Sequence, residues 1–167
     1  MAVWKAQRTL LIVGEGRDEV AFLSYLKSQY VPRGCGLSVT IKDAHGKGAL
    51  HVIDRAAAHR ANADFDQVAA LLDMDTWDAK AEKLAKRKKI LVLGSDPCFE
   101  AMMLRLVGEK AAGNSHALKK QFLPFIKNDP SCSDNYSEYF GSELLQSVRS
   151  REPTINSLLA LFVGEST

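Results

Sequence analysis

The chain has 167 residues, of which 46% are hydrophobic and 25% are charged, and its formal net charge is +2. This length and composition are typical of one globular domain that is large enough to bury a stable core without disulfide bonds or structural metals. The small net charge neither indicates nor excludes nucleic-acid binding, because local patches matter more than totals.

The cysteines are three, widely spaced and without a C-x-x-C pair, which argues against a disulfide framework and a zinc knuckle. No apolar run approaches the ~20 residues of a membrane span, and the N-terminus carries no apolar signal core. These features predict a cytoplasmic protein without a membrane partner.

Strands and helices are predicted to alternate through the first hundred residues. The predicted strands cover residues 10–13, 37–42, 68–72 and 90–93, and the predicted helices cover residues 18–29, 49–61, 78–88 and 98–107. Such β-α repetition favours parallel strands with right-handed crossovers. We therefore expect a Rossmann-like α/β fold, with a mainly parallel four-stranded sheet and helices on both faces.

The pattern changes after Gly108. Residues 118–126, 136–148 and 153–162 are predicted to be helical, and no further strand is indicated. We expect residues 1–110 to form the α/β domain and residues 111–167 a helical extension packed on it.

Acidic residues follow three of the four predicted strands. Glu15 lies between Gly14 and Gly16 after the first strand, and Asp73, Asp75 and Asp78 follow the third. Asp96 and Glu100 follow the fourth. Because the carboxyl ends of parallel strands lie at one edge of the sheet, where open α/β sheets bind ligands, these acids are expected to converge.

A group of carboxylates suits Mg²⁺ or Mn²⁺, because these ions prefer oxygen ligands and bind phosphates at the same time. Asp73 and Asp75 are candidate metal ligands, joined by Glu15, which is also placed to move a proton. The alternative for the aspartates is helix capping. For Asp96 and Glu100, capping by Ser95 or Asp96 and a favourable charge on the helix dipole are the competing interpretation.

Candidate phosphate-binding residues are Arg17, beside the first acidic turn, and Lys47, in the Gly46-Lys47-Gly48 loop. A basic segment at residues 80–89 adds further cations. The alternatives are a flexible surface loop for Lys47 and a solvated helix face for the basic segment. Gly14 and Gly16 are interpreted as allowing a nucleic-acid backbone to approach closely.

Three sequence blocks resemble a known family. Residues 11–19 (Leu-Ile-Val-Gly-Glu-Gly-Arg-Asp-Glu), followed by Asp73-Met74-Asp75, resemble the Toprim domain, the metal-dependent module of topoisomerases, primases and OLD-type nucleases. Residues 94–100 (Gly-Ser-Asp-Pro-Cys-Phe-Glu) resemble the Ser-Asn-Pro-Cys-Phe-Glu signature of the RloB-like subgroup, which is associated with restriction loci and phage defence. Residues 118–127 are similar to that subgroup's downstream helical region.

The resemblance implies a role for each matching residue. Glu15 stands at the position of the Toprim general acid or base, and Asp73 and Asp75 stand at the Asp-x-Asp that holds Mg²⁺. Glu100 stands at the glutamate of the third block. Asp96 departs from the usual asparagine, which adds either a ligand or a helix cap.

Together these observations predict a Mg²⁺-dependent (or Mn²⁺-dependent) nuclease that hydrolyses DNA or RNA in phage defence. The alternative is a non-catalytic Toprim-fold subunit that binds a partner protein or nucleic acid. A nucleotide-binding module that uses the Gly46-Lys47-Gly48 loop is a third class. A partner protein encoded nearby and a homodimer are left open.

Overall fold

The computed structural model describes residues 8–165. Residues 1–7 of the predicted α/β domain and residues 166–167 of the predicted helical extension lie outside the described residues. The prediction that the N-terminus carries no secretion signal also concerns residues 1–7 and so lies partly outside the described residues. The sheet contains β1 (Arg8–Gly14), β2 (Leu37–Asp43), β3 (Gln67–Asp73) and β4 (Leu91–Ser95). All neighbouring strands are parallel and their order is β2-β1-β3-β4. The predicted parallel α/β sheet is thus confirmed.

The helices alternate with the strands and then continue without them through the rest of the described chain. They are α1 (Arg17–Tyr30), α2 (Ala49–Asn62), α3 (Ala79–Lys88), α4 (Phe99–Leu106), α5 (Ser115–Phe122), α6 (Ser142–Val148) and α7 (Pro153–Val163). Short 3-10 turns cover Met74–Thr76, Leu123–Ile126 and Ser133–Tyr136. None of the helices within residues 8–165 has the length and apolar character needed to cross a bilayer.

Two predicted helices of the C-terminal segment are shorter than expected. The helix predicted over residues 136–148 begins only at Ser142, because Gly141 is its N-cap and Tyr136 ends a separate 3-10 turn. The helix predicted over residues 118–126 changes to a 3-10 turn at Leu123, where Pro124 has no backbone N–H to continue the ladder.

Both faces of the sheet are covered, as a parallel sheet requires. Leu10 and Ile12 of β1 belong to one apolar core, and Leu11 and Val13 belong to the other; all four are fully buried. The first core packs against α1, α4 and the C-terminal helices. The second packs against α2 and α3, whose small residues, Ala56 and Ala81 among them, bring these helices close to the strands.

The strand order places a topological switch point between β1 and β3. From β1 the chain moves outward to β2 through α1, then crosses back over β1 to β3 and continues outward to β4. The helices that follow β1 and β3 therefore leave on opposite faces of the sheet, α1 toward the first core and α3 toward the second. A crevice opens at the carboxyl ends of two such strands, and it is the usual ligand site of open α/β sheets.

Candidate active site

A cleft of about 290 Å³ opens at this switch point, and we call it the acidic cleft. It is bounded by the end of β1, the start of α1, the end of β3 and the first turns of α4 and α5. Its lining residues are Glu15, Gly16, Arg17, Asp18, Glu19, Asp73, Glu100, Ser115 and Lys119. Five of these nine residues are acidic. Acids were predicted to converge at this edge of the sheet, and Glu15, Asp73 and Glu100 do lie in one cleft.

Glu15 and Asp73 are joined directly. The Glu15 N–H donates to the Leu71 carbonyl at 3.0 Å, which continues the β1–β3 ladder past the end of β1. The Asp73 N–H donates to Glu15 Oε2 at 2.8 Å. Both carboxylates are half-buried. The half-buried Glu15 side chain is thus held across the strand end, against the backbone that carries Asp73.

The Asp73 side chain also supports a helix. Its Oδ1 accepts the backbone N–H of Phe99, the first residue of α4, at 2.8 Å. Cys98, the N-cap of α4, provides no side-chain cap of its own. The expectation that Ser95 or Asp96 caps this helix is therefore wrong: Ser95 is fully buried with its Oγ directed to Met102 Sδ, and the cap comes from β3 instead.

Glu19 and Glu100 form the buried part of the acidic cleft, with 7% and 6% of their surface exposed. Glu19 Oε2 accepts the Gly16 N–H at 3.0 Å, which satisfies one of the free donors at the start of α1. A Cβ on Gly14 would lie 3.1 Å from the Glu19 Cβ, so the strand end and α1 meet very closely here. The room beside Gly14 is thus occupied by its own chain, which corrects the interpretation that this glycine admits a nucleic-acid backbone.

Burial and mutual repulsion raise the pKa values of Glu15, Glu19 and Asp73. Burial, followed by the charges of Asp73 and Glu15, raises the pKa of Glu19 to about 8 against the opposing backbone hydrogen bond. Burial and then the charge of Glu15 raise the pKa of Asp73 to about 7. Burial also raises the pKa of Glu15, and the charges of Asp75 and Glu100 raise it further. Such a group gains stability when a cation enters it.

The remaining predicted acids lie outside the acidic cleft. Asp75 is exposed in the turn after β3, with its N–H bonded to the Pro97 carbonyl at 3.1 Å, and it reaches the site through its charge. Asp78 is the N-cap of α3 and accepts the Ala81 N–H at 2.8 Å. Asp96 is exposed, and its carbonyl oxygen accepts a bond from Arg105. The structure gives Asp78 a structural role and does not bring Asp96 to the site.

The predicted phosphate-binding residues are distributed differently. Arg17 is exposed and lines the acidic cleft. Lys47 is exposed on the loop after β2, at the same edge of the sheet but outside the cleft; its neighbour Gly46 donates to the Glu15 carbonyl at 2.7 Å. The basic segment runs along α3 away from this edge, so its last residues, Lys88 and Lys89, lie roughly 15 Å further down the helix axis.

Sequence reasoning missed four residues of the cleft: Asp18, Glu19, Ser115 and Lys119. Glu19 carried a usable signal, because it lies three, four and seven residues before Phe22, Leu23 and Leu26 on the apolar stripe of α1. An acid on a buried stripe is rarely accidental. Lys119 carried no such signal, since only the tertiary fold brings α5 to the strand ends.

Within residues 8–165, no three His, Cys, Asp or Glu side chains are grouped as a ready-made metal centre. Mg²⁺ does not require such a group, since it is held by one or two carboxylates together with water and substrate phosphates. Glu15 and Asp73 each use one carboxylate oxygen for a backbone N–H, which leaves a second oxygen on each. This oxygen-only pair of carboxyl groups fits the ligand preference of Mg²⁺ and Mn²⁺.

No family model, curated protein or solved structure matches the chain. The resemblance to Toprim domains therefore rests on the sequence blocks around Glu15, Asp73 and Glu100. The structure itself shows a parallel α/β sheet that places these three residues in one cleft.

Proposed function

We propose that the protein is a divalent-metal-dependent phosphodiesterase that cleaves DNA or RNA. The observation that carries the proposal is the pairing of Glu15 and Asp73 at the β1–β3 switch point, inside the acidic cleft, where burial raises the pKa values of both carboxyls. The Toprim-like sequence blocks support the same proposal, and their resemblance to the RloB-like subgroup extends it to a role in phage defence.

In this proposal Asp73 holds Mg²⁺ or Mn²⁺, with Asp75 and Glu15 as the neighbouring acids. The ion, when bound, neutralises charge on the phosphodiester and polarises one of its oxygens. Glu15 is anchored through Oε2 to the Asp73 N–H, which leaves Oε1 to exchange a proton with water or with the leaving oxygen. Arg17, at the mouth of the cleft, contacts the substrate phosphates.

The test is cleavage of mixed DNA and RNA substrates in the presence of Mg²⁺ or Mn²⁺. Glu15→Gln keeps an oxygen that accepts the Asp73 N–H but cannot exchange the proton, so we expect the rate to fall by about 100-fold or more. Glu82→Gln, on the exposed face of α3, is the matched control and is expected to cleave as the wild type does.

Two results would contradict the proposal. One is equal cleavage by the wild type and Glu15→Gln. The other is an absence of cleavage by the wild type on every substrate with either metal; retained Mn²⁺ binding in that case would favour the non-catalytic subunit.

A further inference from the structure

We propose that α5 supplies a phosphate-binding wall to the acidic cleft, in which Lys119 and Ser115 hold the sugar-phosphate backbone of a nucleic-acid strand together with Arg17. The inference rests on the proposed function and deepens it. The C-terminal segment is predicted from the sequence only as a packed helical extension. This inference gives it a direct part in substrate binding.

The geometry of α5 directs both side chains to the same place. Ser115 and Lys119 are separated by one helical turn and both line the acidic cleft. Leu118 and Phe122, on the strip of the helix next to these two residues, are buried in the first core and fix its rotation. The Asn114 side chain accepts the Ala117 N–H at 3.0 Å and so fixes the start of α5. Lys119 is therefore presented to the cleft by a well-anchored element.

The charges in the cleft are separated into a floor and a rim. Glu19 and Glu100 are buried at the floor, whereas Arg17 and Lys119 are exposed at the rim. Burial and the charge of Glu100 raise the pKa of Asp18, while Lys119 and Arg17 oppose this shift, so both cations lie within electrostatic reach of that carboxylate.

The two cations at the rim, Arg17 and Lys119, are not paired with the acids of the cleft. Among residues 8–165, Arg17 and Lys119 form no ion pair with a carboxylate within 4.0 Å. A lysine that only neutralised the acids would be expected to form such a pair. An acidic floor beside two uncommitted cations matches a phosphodiester, whose oxygens face a divalent ion on one side and lysine or arginine on the other.

A neighbouring groove extends this path. Arg17 also lines an adjoining cleft of about 320 Å³ between α1, the end of β2 and the segment after the Leu123–Ile126 turn. The other polar residues of its lining are Ser24, Asp43, Ser131 and Ser133. Arginine and hydroxyl side chains are common partners of backbone phosphates. A strand bound at Lys119 and Arg17 would therefore continue into this groove.

The experiment measures binding of a fluorescent single-stranded oligonucleotide by anisotropy, with Ca²⁺ in place of Mg²⁺, over a series of salt concentrations. Lys119→Gln is compared with Lys120→Gln, which removes the same charge from the next residue of α5, outside the cleft. We expect Lys119→Gln to weaken binding by about 10-fold and to reduce the salt slope by about 1, with Lys120→Gln close to the wild type. Lys119→Arg, which keeps the charge, is expected to restore binding.

Equal effects of Lys119→Gln and Lys120→Gln would overturn the inference, and so would an absence of binding by the wild type. A loss of binding by Lys119→Gln that is accompanied by a lower melting temperature than that of Lys120→Gln, and is not rescued by Lys119→Arg, would overturn it as well. Selective loss of binding in a wild-type protein that cleaves nothing would support this inference while contradicting the hydrolytic function.

Discussion

Glu19 is a buried acid whose surroundings raise its pKa to about 8. It lies on the apolar stripe of α1, is 7% exposed, and faces Glu15 and Asp73 across the acidic cleft. The hydrogen bond from the Gly16 N–H explains how the side chain is tolerated, but not why an acid is preferred to an apolar residue there. The proposed divalent cation would provide that reason, because a cation offsets the cost of ionising buried acids.

The stability of the metal-free protein should therefore depend on pH in a defined direction. The pKa of Glu19 is about 8 and that of Asp73 about 7 in the folded state, above the ordinary values of 4.5 and 3.8. At pH values between the ordinary pKa and the raised pKa of each group, the folded state binds more protons than the unfolded state. Protonation of these two carboxyls therefore stabilises the folded state. This contribution to the free energy of unfolding is complete below the ordinary pKa values and is lost as pH rises through 7 and 8. We expect the free energy of unfolding, measured with urea and EDTA, to fall by a few kcal/mol from pH 5 to pH 9.

Glu19→Gln tests this assignment, because the amide keeps an acceptor for the Gly16 N–H and carries no charge. We expect it to flatten the decline near pH 8, whereas Glu82→Gln on the exposed face of α3 should leave the profile unchanged. A decline that is identical in the wild type and Glu19→Gln would contradict the role given to this carboxylate.

At the scale of elements, Asp73 links β3 to α4 as well as lining the acidic cleft. Its Oδ1 accepts the first N–H of α4 at 2.8 Å, so one side chain serves both the fold and the site. The two roles are separable with a pair of neutral substitutions. Asp73→Asn keeps an oxygen for the Phe99 N–H, and Asp73→Ala does not.

We expect Asp73→Ala to be about 1 kcal/mol less stable than Asp73→Asn in chemical denaturation, because only the alanine variant loses the helix cap. Both variants should lose metal-dependent cleavage, since neither retains the carboxylate. Equal stability of the two variants would show that the bond to α4 contributes nothing, and full activity of Asp73→Asn would contradict the metal-binding role.

The elements of the sheet were readable from the sequence because their apolar runs are short and bounded by turns. Residues 10–13, for example, form the fully buried middle of β1. The C-terminal helices were less readable. The apolar pattern of residues 136–148 continues through Gly141, and only the structure shows that Tyr136 and Phe140 are buried from a turn and an irregular segment rather than from a helix.

At the scale of the whole molecule, the C-terminal segment belongs to the same core as the sheet. Phe122, Phe140, Leu158 and Phe162 are buried in the first core with Phe22 of α1 and Phe99 of α4. Arg105 of α4 pairs with the nearly buried Glu152 at 2.8 Å, which joins α4 to the start of α7. This packing is what brings Lys119 to the ends of β1 and β3.

The candidate site was predictable where it follows from sheet topology alone. Parallel strands place their carboxyl ends at one edge, so the meeting of Glu15 with Asp73 and Glu100 was foreseeable. The positions of Asp78 and Asp96 were not, because the local sequence does not distinguish an acid that lines the cleft from one that caps α3, as Asp78 does, or one that is exposed before α4, as Asp96 is. Lys119 depends on long-range packing of α5, which no local pattern encodes.

The most direct test of the account is diffraction from crystals of the wild-type protein soaked in Mn²⁺, with data collected at the manganese absorption edge. We expect an anomalous peak in the acidic cleft, within bonding distance of the Asp73 carboxylate and beside Glu15, and no such peak in Asp73→Asn crystals treated in the same way. A cleft without manganese at saturating Mn²⁺, or a peak that is unchanged in Asp73→Asn, would contradict the claim that Asp73 holds a divalent cation beside Glu15.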